Sequence, residues 1–587
     1  MIKFLKYLLA SVIGCFIALF LLFFIMVGMM GALSSLADQP VVVSHHSVLK
    51  IELNTEIVER TAESAFPDFD YATMRTKQLM GLNHILSAIK RAKDDSNIDG
   101  IYLNLTTIPA GFAIVEEIRT ALADFKESGK FILSYSNEYT QKSYYLASIA
   151  DPVYIHPLGD FLWRGAAVQM PFFKNALDKL DIEMQIIRHG KFKSAIEPLI
   201  LDEMSKENRE QTLSYVGSIW NCVLDKIAEA REVTTEQLNA WADGLEVYDA
   251  RTALRKGLVD GLVYYDTVLD ELKEQTGVAS AKEINFISLS KYIKADKFPL
   301  KKSAKQKIAV IYAEGNIVMG DGTEEITSEG LSKAIRQARQ DTAVKAIVLR
   351  INSGGGSALA SDIISREVSL ATAVKPVIAS LSDVAASGGY YIASQADVII
   401  ADRTTITGSI GVFGVMPNFK SFMNKKLGLT FDGVKTNRFA DFQNTMRPLR
   451  AEEREVLQRS VEDVYDTFLT RVSEGRNMPV EAVDEIAQGR VWSAVDAKRL
   501  GLVDEFGGVN DAIRIAAEKA GLDNYSIEEL PKQQGALEAL LTSLSEEVHT
   551  RVIRAELGDS YRHYRQMQNV LKMKGIQAQL PYEIEIY

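Results

Sequence analysis

Two homologous α/β units in tandem behind an N-terminal transmembrane helix are predicted by three features of this 587-residue chain: an uncharged opening run, a self-similarity at a fixed offset, and short apolar segments alternating with amphipathic ones. No residue from Tyr7 to Ala37 is charged, whereas about 20 apolar residues suffice to cross a hydrocarbon core. The run is longer than the roughly 7–15-residue apolar stretch of a cleaved secretory signal, so it reads as a retained anchor in the lipid bilayer. Val12-Ile13-Gly14-Cys15 could pass for a lipoprotein cleavage box, but the apolar run continues beyond it to Met30. Lys3 and Lys6 precede the span and Asp38 follows it, which leaves the N-terminus in the cytoplasm and the body on the extracytoplasmic side.

The body repeats itself. Residues Tyr144 to Asp151 (YYLASIAD) match Tyr390 to Asp397 (YYIASQAD) at six of eight positions, at an offset of 246. The same offset aligns Ile101–Leu105 with Ile347–Ile351, and Gly257-Leu258-Val259-Asp260 recurs as Gly501-Leu502-Val503-Asp504. Self-similarity at this spacing means two copies of one fold. The units are expected at residues 45–290 and 308–530, after the anchor segment 1–38. Residues 291–307, with seven lysines and Pro299, read as a solvated linker.

Within each unit, nearly continuous apolar runs such as Ile308–Tyr312, Ala346–Ile351 and Val377–Ser380 have the pattern of strands buried on both faces. Between them Leu331–Arg339 and Ser361–Thr372 fit amphipathic helices, the second with Ser361 and Asp362 as expected capping residues. Strand and helix alternating in this way predict crossovers around a largely parallel sheet. The C-terminal extension, residues 531–587, is expected to be helical over Gly535–Lys574 and to end in an edge strand over Tyr582–Ile586.

Composition excludes several classes of function. With 66 basic against 77 acidic residues, the net charge of -11 offers no basic face for non-specific nucleic-acid binding. Two cysteines, one of them inside the apolar run, permit neither a disulfide framework nor a cysteine-ligated zinc site. No metal and no cofactor is called for.

Two motifs carry chemistry. Asn352-Ser353-Gly354-Gly355-Gly356-Ser357 follows a strand and precedes a helix, where glycines let backbone amides approach developing negative charge. No lysine follows as in a P-loop. Ala385-Ala386-Ser387-Gly388-Gly389-Tyr390 presents a serine at the start of the next helix, again beside free amides. Taken singly, each could be an ordinary small-residue turn. The repeat adds the decisive asymmetry, because Ser387 projects onto Gln141, and Gly355 and Gly356 project onto Pro109 and Ala110. Conversely, Phe192-Lys193 aligns with Phe439-Ala440, so Lys193 is peculiar to the first half. Complementary losses of this kind point to one composite site, with Ser387 as nucleophile and Lys193 as general base. An amine with an ordinary pKa near 10.4 must be desolvated before it can do that work near neutrality. His189, four residues before Lys193, stands open as an alternative base.

At these residues the chain resembles the long, tandem form of the signal peptide peptidase A (protease IV) family, and the resemblance covers nearly its whole length. It rests on Gly190-x-Phe192-Lys193-Ser194-Ala195-x-Glu197-Pro198 and on the segment around Ser387. It implies tandem duplicated Clp-protease/crotonase-like domains, a serine–lysine dyad with lysine from the first domain and serine from the second, and assembly into a homotetramer. It also implies Ser409 of Thr407-Gly408-Ser409-Ile410-Gly411 as the group that orients the lysine, and Gly355 or Gly356 as oxyanion-hole donors. Gly354 stands where the family often has proline. The implied substrates are hydrophobic signal peptides left in the bacterial inner membrane. Two other readings are an acyl-CoA hydrolase or isomerase, which uses similar glycine amides, and a membrane scaffold whose site has decayed.

Overall fold

A computed structural model of the chain describes residues 41–61, 79–295, 304–322, 325–532 and 575–580, with residues 69–70 and 75–76 and scattered positions in residues 3–24. The expected span 7–37 lies largely outside the described residues, as do the expected helix 535–574 and edge strand 582–586. Among the described residues no helix is long and apolar enough to cross a membrane.

The first half builds an all-parallel sheet in the order Gly261–Leu262, Val153–Phe161, Phe131–Tyr139, Ile98–Leu103, Ser47–Ile51, Asn285–Ser288. The second repeats it with Glu505–Phe506, Val398–Ala401, Val377–Ala386, Val344–Ser353, Lys307–Glu314 and Ser526–Leu530, all parallel, and Val377–Ala386 also pairs with Ile406–Gly408, which runs antiparallel to Val491–Ser493. The apolar runs buried on both faces are therefore interior strands, as their composition requires. The helices read over Leu331–Arg339 and Ser361–Thr372 extend over Ser328–Gln340 and Ala358–Thr372. The second is capped by Ser357 rather than by Ser361 or Asp362: the Ser357 side chain accepts the Ala360 N–H, while Ser361, one turn further in, donates to the Ser357 carbonyl. The segment read as a linker opens with the end of a helix, Leu289–Lys294, whose Tyr292 is buried and donates to Asp95 at 2.9 Å.

A third sheet positions the site. Its order is Ile326–Thr327, Ile317–Val318, Gly355–Ser357, Ile576–Gln579, Phe413–Asn418, Glu183–Arg188. Glu183–Arg188 belongs to the first half in sequence, yet it runs antiparallel to Phe413–Asn418 of the second, from Arg188 opposite Phe413 to Glu183 opposite Asn418. That pairing carries the segment containing Lys193 into the second half. Elsewhere the halves are welded by a common apolar core and by buried polar contacts. Fully buried Arg350 meets Glu59 at 2.8 Å, Glu117, and the hydroxyls of Ser380 and Ser382 at 2.9 Å each. Asp383 accepts the N–H groups of Gly111, Ala113 and Ile114 at the start of helix Phe112–Lys126, and its burial raises its carboxyl to about 6.

Candidate active site

Ser387 ends the strand Val377–Ala386 and precedes the helix Gly388–Ala393 with φ 54° and ψ -115°. Positive φ is costly for a residue with a side chain and persists where surrounding contacts impose it. Here the Ser387 N–H is held by the Gly408 carbonyl at 2.8 Å, so the hydroxyl turns away from the strand. Ser409 is held similarly, with φ 53° and its N–H on the Arg490 carbonyl at 2.6 Å.

Lys193 follows the shared strand Glu183–Arg188 and is 1% exposed. Its Nζ lies 2.8 Å from Ser387 Oγ, 3.0 Å from Ser409 Oγ and 3.2 Å from the Ser409 carbonyl oxygen. Its methylenes pass Gly411, where a Cβ would sit 3.5 Å from Lys193 Cδ, and the Phe413 ring centre is 6.0 Å from Nζ. Burial alone pushes this amine down to about 7. A neutral amine has two N–H donors and one lone pair. The two Ser409 oxygens accept the donors, which leaves the lone pair for the Ser387 hydroxyl proton. Such a group can deprotonate serine near neutral pH.

The structure thus brings Ser387, Lys193 and Ser409 together and places the glycine run beside them. Gly355–Ser357 is itself a short strand, and a Cβ on Gly355 would fall 2.6 Å from the Gly388 nitrogen. The Gly355 N–H donates to Ser353 Oγ at 3.1 Å, whereas Gly356 is paired with Ala578 in a strand ladder. Ile576–Gln579 pairs antiparallel with Gly355–Ser357, with Ala578 opposite Gly356, and the Leu580 N–H continues the ladder onto the Gly354 carbonyl at 2.7 Å. The Ala578 carbonyl oxygen stands 2.1 Å from where a Gly355 Cβ would be and 2.9 Å from that of Gly388. A peptide carbonyl delivered by an extended strand therefore fits beside the serine. This strand lies outside the two segments read as tail structure, and its mixture of Gln and Ala carries little β signal.

His189 stacks on the Tyr465 ring with centroids 4.2 Å apart, whereas the Ser387 hydroxyl meets Lys193 and the Gly411 carbonyl. In the first half, Gln141 lines a cavity of about 420 Å³ with Lys142, Arg164 and Trp220. Its side chain is spent on the loop beside it, accepting the Arg164 and Gly165 N–H groups and donating to the Gly165 carbonyl. Among the described residues no group of three or more His, Cys, Asp and Glu side chains is arranged to hold a metal ion.

Two segments of the chain, residues 124–279 and 369–523, match the family model described as peptidase family S49. Protease 4 of Salmonella typhi is 38% identical over 471 residues, which cover 78% of this chain and 75% of that protein. The chain belongs to peptidase family S49. It is a serine peptidase with two such regions in one chain. The serine protease SPPA of Arabidopsis thaliana, a chloroplast protein, is 34% identical over 82% of this chain and 72% of its own length. A relative in Enterococcus faecium bears a signal peptide peptidase name and is 35% identical over 32% of this chain and 55% of its own length.

Proposed function

We propose that this S49 peptidase is an endopeptidase that hydrolyses hydrophobic, extended peptides, signal peptides among them, by a Ser387–Lys193 dyad in a Clp-protease/crotonase-like unit. The observation that carries the reading is the 2.8 Å approach of a buried amine, lowered to about 7, to the hydroxyl of a serine in a constrained turn. Substrate takes the place of Ile576–Gln579 as a strand against Gly355–Ser357. Ser387 Oγ attacks the carbonyl carbon while Lys193 Nζ takes its proton, and the negative oxygen is received by the Gly356 and Gly388 amides. The C–N bond breaks as the ammonium returns the proton to the leaving amine. Water, deprotonated by the same amine, then opens the acyl-enzyme. Ser409 holds Nζ through both steps.

The residues 7–37 would anchor this body to the bacterial inner membrane as a single-pass protein, with the site on the extracytoplasmic side and beside its apolar substrates. A homotetramer, as in the family the sequence resembles, is the proposed assembly. The reading is tested by labelling the detergent-solubilised chain with a serine-reactive fluorophosphonate across pH and locating the adduct by mass spectrometry. Labelling at Ser387 with half-maximal rate near pH 7 supports the dyad. Labelling that is indifferent to Lys193→Ala counts against it, and absence of labelling in the folded chain favours a decayed scaffold.

A further inference from the structure

A base borrowed from the other half of the chain raises a registration problem, because Lys193 and Ser387 are 194 positions apart and follow strands of different sheets. The three contacts at Nζ fix only the tip of a side chain with four rotatable methylenes. The backbone on either side of Lys193 must be held against the second half for the tip to reach one spot.

We infer that Gln211 is the positioning residue that registers Lys193 against the serine-bearing half. It lies on the helix Lys206–Arg231 and is fully buried. Its Nε2 donates to the Phe192 carbonyl at 3.1 Å and to Ser194 Oγ at 2.8 Å, the residues immediately before and after the lysine. Its Oε1 accepts the Val491 N–H of the second half at 3.0 Å. One amide therefore ties both flanks of Lys193 to the strand Val491–Ser493, which neighbours Ile406–Gly408 and so the turn of Ser409.

The second half reaches back at the same place. The Phe192 N–H donates to the Gln488 carbonyl at 3.1 Å, and the Gly489 N–H donates to the Ile410 carbonyl at 2.7 Å. Gln488 and Gly489 both have positive φ, 52° and 81°. A Cβ on Gly489 would lie 2.6 Å from Lys193 Cβ, so the loop is pressed directly on the lysine backbone. The Arg490 guanidinium sits between the Phe192 and Trp492 rings at 4.6 and 4.4 Å. Gln211 is itself oriented by the motif that contains the lysine: Glu197 accepts the Ser205 N–H that precedes the helix and the Asn208 side chain one turn before Gln211. The chain from Glu197 to Asn208 to Gln211 to Val491 is a path of buried polar contacts from one half to the other, with the lysine inside it.

This inference rests on the dyad reading, and the test separates the two. Gln211→Met keeps length and burial but removes every hydrogen bond, and Gly489→Ala perturbs the same lysine from the opposite side. Hydrolysis of a fluorogenic hydrophobic peptide by the full chain is followed from pH 5.5 to 10, with unfolding midpoints measured in parallel. Both variants are expected to lose kcat by about 10- to 100-fold with KM within about twofold, since positioning acts on the chemical step. The acid limb of kcat/KM is expected to move up by about half a pH unit or more as the loosened amine becomes better hydrated. Gln211→Glu, which retains the acceptor for Val491, should recover part of kcat. Gln211→Met with wild-type kcat would overturn the inference. So would a loss that only tracks the unfolded fraction while the acid limb stays in place. If the wild type itself lacks an acid limb that depends on Lys193, the dyad reading fails instead.

Discussion

Lys193 should destabilise the protein it serves, and Lys193→Met measures by how much. The amine falls from 10.5 when unfolded to about 7 when folded, by desolvation. Between those two values the unfolded chain binds more protons than the folded one, so the lysine's contribution to stability rises with pH across that window. Below about 7 both states are protonated and the full burden of burial is present, on the order of 5 kcal/mol for a gap of roughly 3.5 units at 1.36 kcal/mol each. At pH 7 about 4 kcal/mol remains, and at pH 10 only about 1. Methionine has a similar volume and no charge. It forfeits contacts to Ser387 and Ser409, which subtracts about 1–2 kcal/mol at every pH. Urea unfolding of wild type and Lys193→Met, compared at pH 7, 8.5 and 10, should therefore show an inactive variant that is the more stable at pH 7 by about 2–3 kcal/mol, with that advantage shrinking by about 3 kcal/mol toward pH 10. All other groups titrate alike in the two proteins, so the change in the difference isolates this lysine. A pH-independent difference, or a variant less stable at pH 7, would refute the assignment of a desolvated amine.

Three other outcomes follow from the same geometry. Ser409→Ala removes the 3.0 Å contact to Nζ and keeps the carbonyl one, so kcat for a fluorogenic peptide should fall about tenfold, the worth of one hydrogen bond, without loss of the folded state. Removing residues 575–587 uncovers the edge of Gly355–Ser357, so KM should fall about tenfold; a synthetic peptide with the sequence of Gly575–Leu580 should then inhibit competitively, and a rise in KM would show the strand to be scaffold instead. Arg350→Met strands Glu59 and Glu117 in the interface between the halves, so chemical denaturation should report a loss of about 3–5 kcal/mol, partly restored by adding Glu59→Gln and Glu117→Gln.

The duplication was legible because each copy keeps the strand and helix residues that a buried parallel sheet needs. The same comparison singled out Ser387 and Lys193 as residues without a counterpart, and the structure sets them 2.8 Å apart. Their environment was not legible. The positive φ of Ser387 follows from its contact with Gly408 and from the close approach of Gly355 to Gly388, not from any local preference. Glu183–Arg188 lies in the first half, and nothing in its own pattern says that its partner is Phe413–Asn418. Gln211 carries no local signal, since a glutamine in a long helix is ordinary until its two neighbours in space are known. The misplaced cap has a simple cause: Ser357 and Ser361 are one helical turn apart, and either can begin a helix until the glycine run is seen to be a strand that ends at Ser357.

The Ser387–Lys193 dyad is tested most directly by the pH dependence of kcat/KM for a hydrophobic fluorogenic peptide with wild type, Ser387→Ala, Lys193→Ala and His189→Ala, using the full chain in detergent. Activity should rise through an ionisation near pH 7, vanish in the Ser387 and Lys193 variants, and survive in the His189 variant. Activity retained without Lys193 and lost without His189 would contradict the dyad.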